Sequence, residues 1–326
     1  MRVLQIVPCL PPPYEGVGTY AAALGGTLGG GTGFLVGDPA WSGAGGRAVA
    51  ARTAAALQAA IADAGTVLLH YAGYGYQRRG CPAWLVEGLT RWGGRLVTVF
   101  HEVWASGPPW RSSFWLLPAQ RRLAAALARR SEALATTLDL YAGMLHPGAQ
   151  GREIAVLPVF STVGEPVAVP GFGERARRIV VFGGAGVRSR AYERFLPELA
   201  QAARALAAEE IWDVGPPLPT PKALEGIPVR PLGVLPAGEV SEILRGTAAG
   251  FLAYPPAFLP KSTVFAAYCA HGALPVCAWD RHPAGRHLPY WTGDGDPAAT
   301  AAAAHGWYRG HSLEIQTARF RELLTA

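Results

Sequence analysis

The sequence predicts an α/β protein built from two consecutive Rossmann-like halves. Three observations carry that expectation. Short apolar runs of strand length alternate with segments whose apolar residues recur at helical spacing, the pattern of parallel βαβ units. The alternation lapses once, over residues 158–177, which are rich in Pro and Gly and lack any period, and then begins afresh. The chain has 326 residues, half of them apolar and 16% charged, enough for two cores in domains of about 150 residues each.

Residues 2–7 read as a first strand ended by Pro8, with an apolar run too short for a secretory leader. A Pro/Gly loop follows up to Gly18, then a helix over 19–28, a strand over 33–36 and an Ala-rich helix over 48–62. A strand at 66–70, a helix at 82–91, a strand at 95–100 and a long helix at 114–130 come next, and segments 133–136, 142–145 and 153–157 complete the first half. The second half opens with a strand at 178–182 and a helix at 191–208, with strands near Ile211 and Val229. A helix at 238–245, a strand at 249–253, a helix at 262–271 and a strand at 274–277 close the series. The final helix, at about 306–324, lies beyond the last strand and is expected to pack back on the first half. The expected organisation is a domain over 1–160, a linker over 161–177, a domain over 178–304 and a returning helix over 305–326.

The net charge is +6, and lysine occurs only at Lys222 and Lys261, so the basic balance is carried by arginine. Such a balance suits anionic ligands or an anionic membrane surface. No stripe of interleaved basic and aromatic residues points to a nucleic acid, so none is expected as a partner. The four cysteines have no zinc-like spacing and fit a reduced, cytoplasmic protein. No apolar run approaches the roughly 20 residues of a membrane span.

Four constellations bear on chemistry. After the first strand, Pro11-Pro12-Pro13-Tyr14-Glu15-Gly16-Val17-Gly18-Thr19 sets glycines where backbone amides can approach an anion; it serves equally as a tight turn capped by Thr19. It is no dinucleotide fingerprint, because the third glycine and the following acidic residue are missing. Next, Lys261-Ser262-Thr263 opens a helix after a proline-stiffened loop, gathering an ammonium, two hydroxyls and helix amides around one point. That suits a diphosphate better than it suits a plain helix cap. His101 and Glu102 end the fourth strand, and His70 with Tyr71 ends the third, ahead of Tyr74. Ligands of open α/β sheets collect at such strand ends. Finally, Gly183-Gly184-Ala185-Gly186-Val187-Arg188-Ser189-Arg190 pairs close-approach glycines with charge suited to phosphate, and reads equally as a solvated loop. Asp294 and Asp296 read as a turn, and no metal site is expected.

Together these residues resemble the retaining glycosyltransferases of the GT-B fold, in the group related to sucrose and mannosyl transferases. The resemblance runs over nearly the whole chain. It implies two Rossmann-like domains facing each other across a cleft, with the C-terminal helix crossing back to the N-domain. In that group a Gly-rich loop follows the first strand, here Gly16 to Gly18, and a histidine matching His101 contacts the donor sugar. A basic pair neutralises the diphosphate: Arg188 or Arg190 matches its second member, while the first falls on Gly184. The tail of the group's acidic motif is present as Ala270-His271-Gly272-Ala273-Leu274-Pro275-Val276. Aligned on it, Leu259 and Ala267 occupy the positions of the two glutamates that read the donor.

The expected activity is transfer of a sugar from a nucleotide diphospho-sugar to a hydroxyl acceptor, metal-independent and with retention. His101, Glu102, Arg188 and Lys261 would do the chemistry, and Gly16, Gly18, Gly184, Arg190, Ser262 and Thr263 would hold the donor phosphates. Tyr14, His70, Tyr71 and Tyr74 would face the acceptor, a small molecule, a saccharide or a lipid-linked species. No cofactor beyond the co-substrate is expected. The place of action would be the cytoplasm, extending to the inner face of the membrane for a lipid acceptor. A nucleotide-sugar epimerase and a catalytically silent nucleotide binder stay open as alternatives.

Overall fold

The computed structural model describes residues 3–11, 16–282 and 288–325. The chain divides into two compact units, Met1–Pro158 with Leu313–Ala326, and Val159–Ser312. Segment 161–177 therefore belongs to the second unit.

The first unit runs β1 (Val3–Val7), α1 (Gly16–Leu28), β2 (Thr32–Val36), β3 (Arg47–Ala48), α2 (Ala54–Ile61), β4 (Thr66–Tyr71) and α3 (Gly73–Tyr76). It continues with α4 (Ala83–Arg91), β5 (Arg95–Phe100), α5 (Ser112–Arg130), β6 (Ala133–Thr136), α6 (Asp139–Ala149) and β7 (Ile154–Val156). Its seven strands lie in the order β3-β2-β1-β4-β5-β6-β7, every pair parallel. Helices cover both faces of such a sheet, so its central strands are apolar throughout rather than alternating. β4 is buried at every residue. Two helix starts differ from the sequence reading. α1 begins at Gly16, so the two glycines lie within its first turn. α2 begins at Ala54 because Thr53 caps it, the hydroxyl accepting from the Ala56 amide at 3.2 Å. Arg47 and Ala48 pair with β2 instead.

The second unit runs β8 (Ala176–Phe182), α7 (Ala185–Glu193), α8 (Leu196–Ala205), β9 (Glu210–Val214), β10 (Ala223–Leu224) and β11 (Ile227–Gly233). Then come α9 (Ala237–Arg245), β12 (Thr247–Ala253), α10 (Thr263–Ala270), β13 (Leu274–Ala278) and α11 (Pro297–Arg309). The strand order is β10-β11-β9-β8-β12-β13, parallel except for the β10–β11 hairpin. The single helix expected over 191–208 is two helices. Pro197 has no amide to continue the first, and stands instead in the opening turn of the second.

α10 is buried at every residue from Val264 to Ala270, as a helix apolar on all sides must be. It carries the Tyr268 hydroxyl into the core. That oxygen accepts from the Phe182 amide at 3.1 Å and lies 3.1 Å from the Val180 carbonyl and 3.2 Å from that of Phe251. Gly250 makes room for the ring, since a Cβ there would overlap it.

The C-terminal helix expected as one piece is also two. α11 is capped by Gly310, and α12 (Leu313–Thr325) joins the first unit. α12 lies against α1, with Thr27 and Thr317 hydroxyls 2.6 Å apart and Arg321 donating to the Thr27 carbonyl at 2.7 Å. Gln316 donates to the Pro158 carbonyl at 2.8 Å. Among the described residues no helix is long and apolar enough to cross a membrane.

Overpacking at the Tyr268 contact gives the first prediction. Gly250→Ala should lower unfolding stability by about 1–3 kcal/mol, read in urea titrations as a shifted midpoint with an unchanged slope. An unshifted midpoint would show that the ring is not wedged against this backbone.

Candidate active site

Each sheet reverses its strand order once, and ligands of open α/β sheets gather at the carboxyl ends of the strands flanking that reversal. In the first unit the reversal lies between β1 and β4, and in the second between β8 and β12.

In the second unit, Gly184, Arg190, Lys261, Ser262 and Thr263 lie on the segments that follow β8 and β12. Gly184 is the N-cap of α7. Its neighbour Gly183 has φ +127°, and a Cβ there would lie 2.9 Å from the Val264 side chain. The β8 loop is therefore pressed against the first turn of α10. Lys261 ends a 3-10 turn over Pro256–Lys261 that leads into α10. Ser262 is the cap of α10, its hydroxyl accepting from the Phe265 amide at 3.2 Å, and Thr263 follows as the first helical residue. The first amides of a helix have no intrahelical acceptor and carry positive potential. Arg190 reaches the carbonyl of Ala253, the last residue of β12, at 3.5 Å.

Arg188 is placed otherwise. It is 1% exposed, and its guanidinium clasps Asp213 of β9, through Nε at 3.0 Å and through a second contact from Nη2. Nη1 donates to the Pro216 carbonyl at 2.7 Å, and the Tyr192 hydroxyl donates to the same carboxylate at 3.0 Å. Its charge is neutralised and its donors are committed, so the expectation that Arg188 meets a phosphate is corrected: it ties the β8 and β9 loops together. Leu259 and Ala267, where the resemblance puts glutamates, are both fully buried. Beside the ends of β12 and β13, Pro255, Ala257, Trp279, Asp280 and His282 line a cavity of about 740 Å³.

In the first unit, His101 directly follows β5 and is 7% exposed. Its Nε2 lies 3.0 Å from Nδ1 of His70, whose Nε2 lies 2.7 Å from Oε1 of Gln5 on β1. Tyr20 of α1 sets its ring edge-on to both imidazoles, 5.0 Å from His101 and 6.0 Å from His70. His70 is fully buried, and burial, aided by His101, holds its pKa well below the ordinary 6.5. It stands behind His101 rather than at an acceptor surface, which corrects its expected role. Tyr71 is likewise buried, edge-on to Phe100 at 5.3 Å, and belongs to the core. Gly16 is exposed and Gly18 buried in the first turn of α1, while Tyr14 lies outside the described residues.

Glu102 and Tyr74 are exposed, and with Trp104, Gln120 and Tyr141 they line a cavity of about 210 Å³. Burial, with the nearby Glu102 charge, pushes the Tyr141 phenol up to about 12. Gln120 pins the walls: its carbonyl accepts from the Ala105 amide at 2.9 Å, and its amino group donates to the Tyr74 hydroxyl at 3.1 Å and the Arg79 carbonyl at 2.9 Å. Gln5, Gln120, Tyr141 and Asp213 were not singled out from the sequence. Gln5 and Gln120 left a signal there, each being an amide inside an apolar pattern.

No family model and no curated protein matches the sequence. Solved structures do. An α-glucosyltransferase in complex with UDP and a 13-mer DNA is similar over 100% of both chains at 10% identity, with a TM-score of 0.62. AviGT4, a glycosyltransferase involved in avilamycin A biosynthesis, is similar over 99% of this chain and 96% of its own, at 14% identity and a TM-score of 0.52. WaaG, a glycosyltransferase involved in lipopolysaccharide biosynthesis, is similar over 97% and 93%, at 12% identity and a TM-score of 0.53. The fold is GT-B. At such identities the likeness carries the architecture alone. Since one protein of this fold was solved with DNA, the fold gives no ground for excluding a nucleic-acid partner. Asp296, in the turn read from the sequence, caps α11 by accepting from the Ala298 amide at 2.9 Å. Among the described residues no three His, Cys, Asp or Glu side chains are grouped to hold a metal ion.

Two predictions follow from buried charge and its absence. Removing one partner of a buried ion pair strands the other, so Asp213→Ala should lower unfolding stability by about 3–5 kcal/mol in denaturant titrations; a loss under about 1 kcal/mol would mean the Arg188 charge is solvated. The second concerns pH. His70 is neutral when folded and takes up a proton near pH 6.5 when unfolded, as does His271, lowered chiefly by burial. The unfolded chain therefore binds more protons below pH 6.5, and stability, complete above that value, is lost as the pH falls toward the lowered folded-state values. Thermal melts from pH 8 to pH 5 should show a falling midpoint, with a shallower fall in His70→Gln. Equal slopes would count against a neutral buried His70.

Proposed function

We propose that the chain is a glycosyltransferase that moves a sugar from a nucleotide diphospho-sugar to a hydroxyl acceptor, with retention of configuration and without a metal ion. What supports this reading is the β8 loop at Gly183 and Gly184 lying against the first turn of α10, with Lys261 immediately before that helix and Arg190 at the carboxyl end of β12. A helix start beside basic residues is the arrangement that would stabilise a diphosphate as it takes on charge. The bond between the anomeric carbon and the β-phosphate oxygen breaks, the nucleoside diphosphate leaves with the electron pair, and the acceptor oxygen bonds to that carbon. The acceptor proton passes to the departing phosphate or to Glu102. His101 takes a donor-sugar hydroxyl, and the cavity beside Glu102 takes the acceptor. The cavity beside Trp279 has the size that a nucleoside requires.

A membrane-borne acceptor is favoured by α5 and the loop before it. Residues 103–131 hold five arginines and no acidic residue, and Trp110 and Trp115 are 83% and 72% exposed. Exposed aromatics among basic residues suit an anionic lipid face, which would place the protein at the inner face of the membrane. The apolar residues at 259 and 267 also fit a binder without turnover; tight UDP binding with no nucleotide release over a broad acceptor panel would select that reading. Isomerisation of the donor without acceptor would select an epimerase.

The test is a donor screen by nucleotide release, beginning with uridine diphospho-sugars because UDP accompanies a solved protein of the same fold. Lys261→Ala should lower turnover by about 10²–10³, whereas turnover equal to wild type would remove Lys261 from the leaving-group site.

A further inference from the structure

Gln120 of α5 is 1% exposed and joins three segments around the cavity beside Glu102. Its Oε1 accepts from the Ala105 amide at 2.9 Å, and its Nε2 donates to the Arg79 carbonyl at 2.9 Å and to the Tyr74 hydroxyl at 3.1 Å. Backbone groups set the direction of this amide at both ends, because an N–H only donates and a carbonyl only accepts. The chain around it is shaped to permit the contact. Gly80 has φ +69°, and a Cβ there would lie 2.7 Å from the Tyr74 ring and 2.9 Å from Gln120 Nε2. Arg79 has φ 72°, in the left-handed region that a residue with a Cβ keeps only when it is held. The bond from Gln120 holds its carbonyl.

We propose that Gln120 is a positioning residue that makes Tyr74 a hydrogen-bond donor of this cavity, and that the cavity takes a neutral sugar ring as the acceptor. One hydrogen of the Gln120 amino group goes to Arg79 and the other to the Tyr74 oxygen. An amide nitrogen accepts nothing, so the Tyr74 proton points away from Gln120 and is offered to an oxygen entering the cavity. Glu102 lines the same space with a carboxylate, which only accepts. A ring with adjacent hydroxyls meets both demands, one oxygen accepting from Tyr74 and its neighbour donating to Glu102. Trp104 and Tyr141 add aromatic walls whose electron-rich faces suit the C–H bonds of such a ring, and Arg121 stands over the Trp104 ring at 5.2 Å. The volume of about 210 Å³ is below that of a site for a drug-sized ligand and fits a single ring. The Glu102 charge disfavours a phosphorylated ligand, and a simple alcohol leaves one of the two polar demands unmet. That the ring is the acceptor rests on the proposed transfer reaction; that the cavity binds it does not.

The test uses the unliganded protein with ¹⁵N-labelled tryptophan, the Trp104 indole signal being assigned by its loss in Trp104→Phe. Methyl hexopyranosides are titrated one by one at neutral pH beside glucose 6-phosphate, n-butanol and tetramethylammonium. The last is the probe for a cation held by aromatic rings and a carboxylate. A saturable shift of the Trp104 signal is expected with a neutral pyranoside and with none of the other three. No shift with any pyranoside, or an equal shift with another probe, overturns the proposal. Tyr74→Phe should raise the pyranoside Kd about tenfold, and an unchanged Kd overturns the donor role. Gln120→Glu puts a carboxylate oxygen where the amino group was and turns the Tyr74 proton back toward it. Its loss should therefore match that of Tyr74→Phe, and the double variant should lose no more than either; losses that add overturn the positioning role. Where Gln120→Glu does not fold, Tyr74→Phe, at an exposed side chain, decides the proposal. Pyranoside binding in a protein that releases nucleotide from no donor would support the cavity's ligand and count against the transfer reading alone. Turnover with an acceptor that has no sugar ring, and no pyranoside binding, would do the reverse.

Discussion

Two parallel strands that part at the middle of a sheet leave backbone groups on their facing edges, and in a buried place those groups must find partners. In the second unit one phenol supplies them. Pairing between β8 and β12 runs to Val181 and Phe251, and Tyr268 sets its oxygen among the Phe182 amide and the carbonyls of Val180 and Phe251. The same contact fixes α10 against the point where the sheet reverses. From it follow the position of the Ser262 cap, the direction of the first helix amides, and the close approach of Gly183 to Val264. A glycine at 250 is the condition for all of this, because only it leaves space for the ring.

Each unit also buries one connected polar chain beneath its reversal point. In the first it is Gln5, His70 and His101; in the second it is Asp213, Arg188 and Tyr192. The Arg188–Asp213–Tyr192 group is paired at the carboxylate, whereas in the first unit the Gln5 amide nitrogen is buried without a hydrogen-bond partner. Their common feature is that one end reaches a loop at the carboxyl edge of the sheet. Arg188 holds the Pro216 carbonyl, and His70 holds His101. Stability and site geometry thus depend on the same hydrogen bonds.

The alternation of strands and helices was legible because the central strands of both sheets run parallel, so they are continuous apolar runs in the sequence. Helix breaks were less so. Pro197 and Gly310 act through backbone geometry at a helix end, which the apolar period around them does not register. The roles of Arg188 and Arg190 were not separable, because what distinguishes them is Asp213, brought beside Arg188 by the pairing of β8 with β9. The Lys261-Ser262-Thr263 helix start was readable, since a cap is a local feature. His70 and His101 were readable as strand-end residues, but not as partners. Their partnership depends on β4 and β5 lying side by side, with His70 opposite Val99.

The two positions that the sequence resemblance aligns with glutamates lie in the core of the second unit. Leu259 and Ala267 are not solvated residues that have drifted; both are fully buried. A carboxylate at either would lie among apolar neighbours, where an unpaired charge is strongly disfavoured. The core here is packed for apolar side chains, and the helix that follows keeps only what backbone and cap can offer. An amide-lined helix start recognises a phosphate by charge and says little about the sugar attached to it. On the proposed function, donor selectivity would therefore come from side chains outside the Pro256–Lys261 turn and α10, and those two elements would read the phosphate end of the ligand.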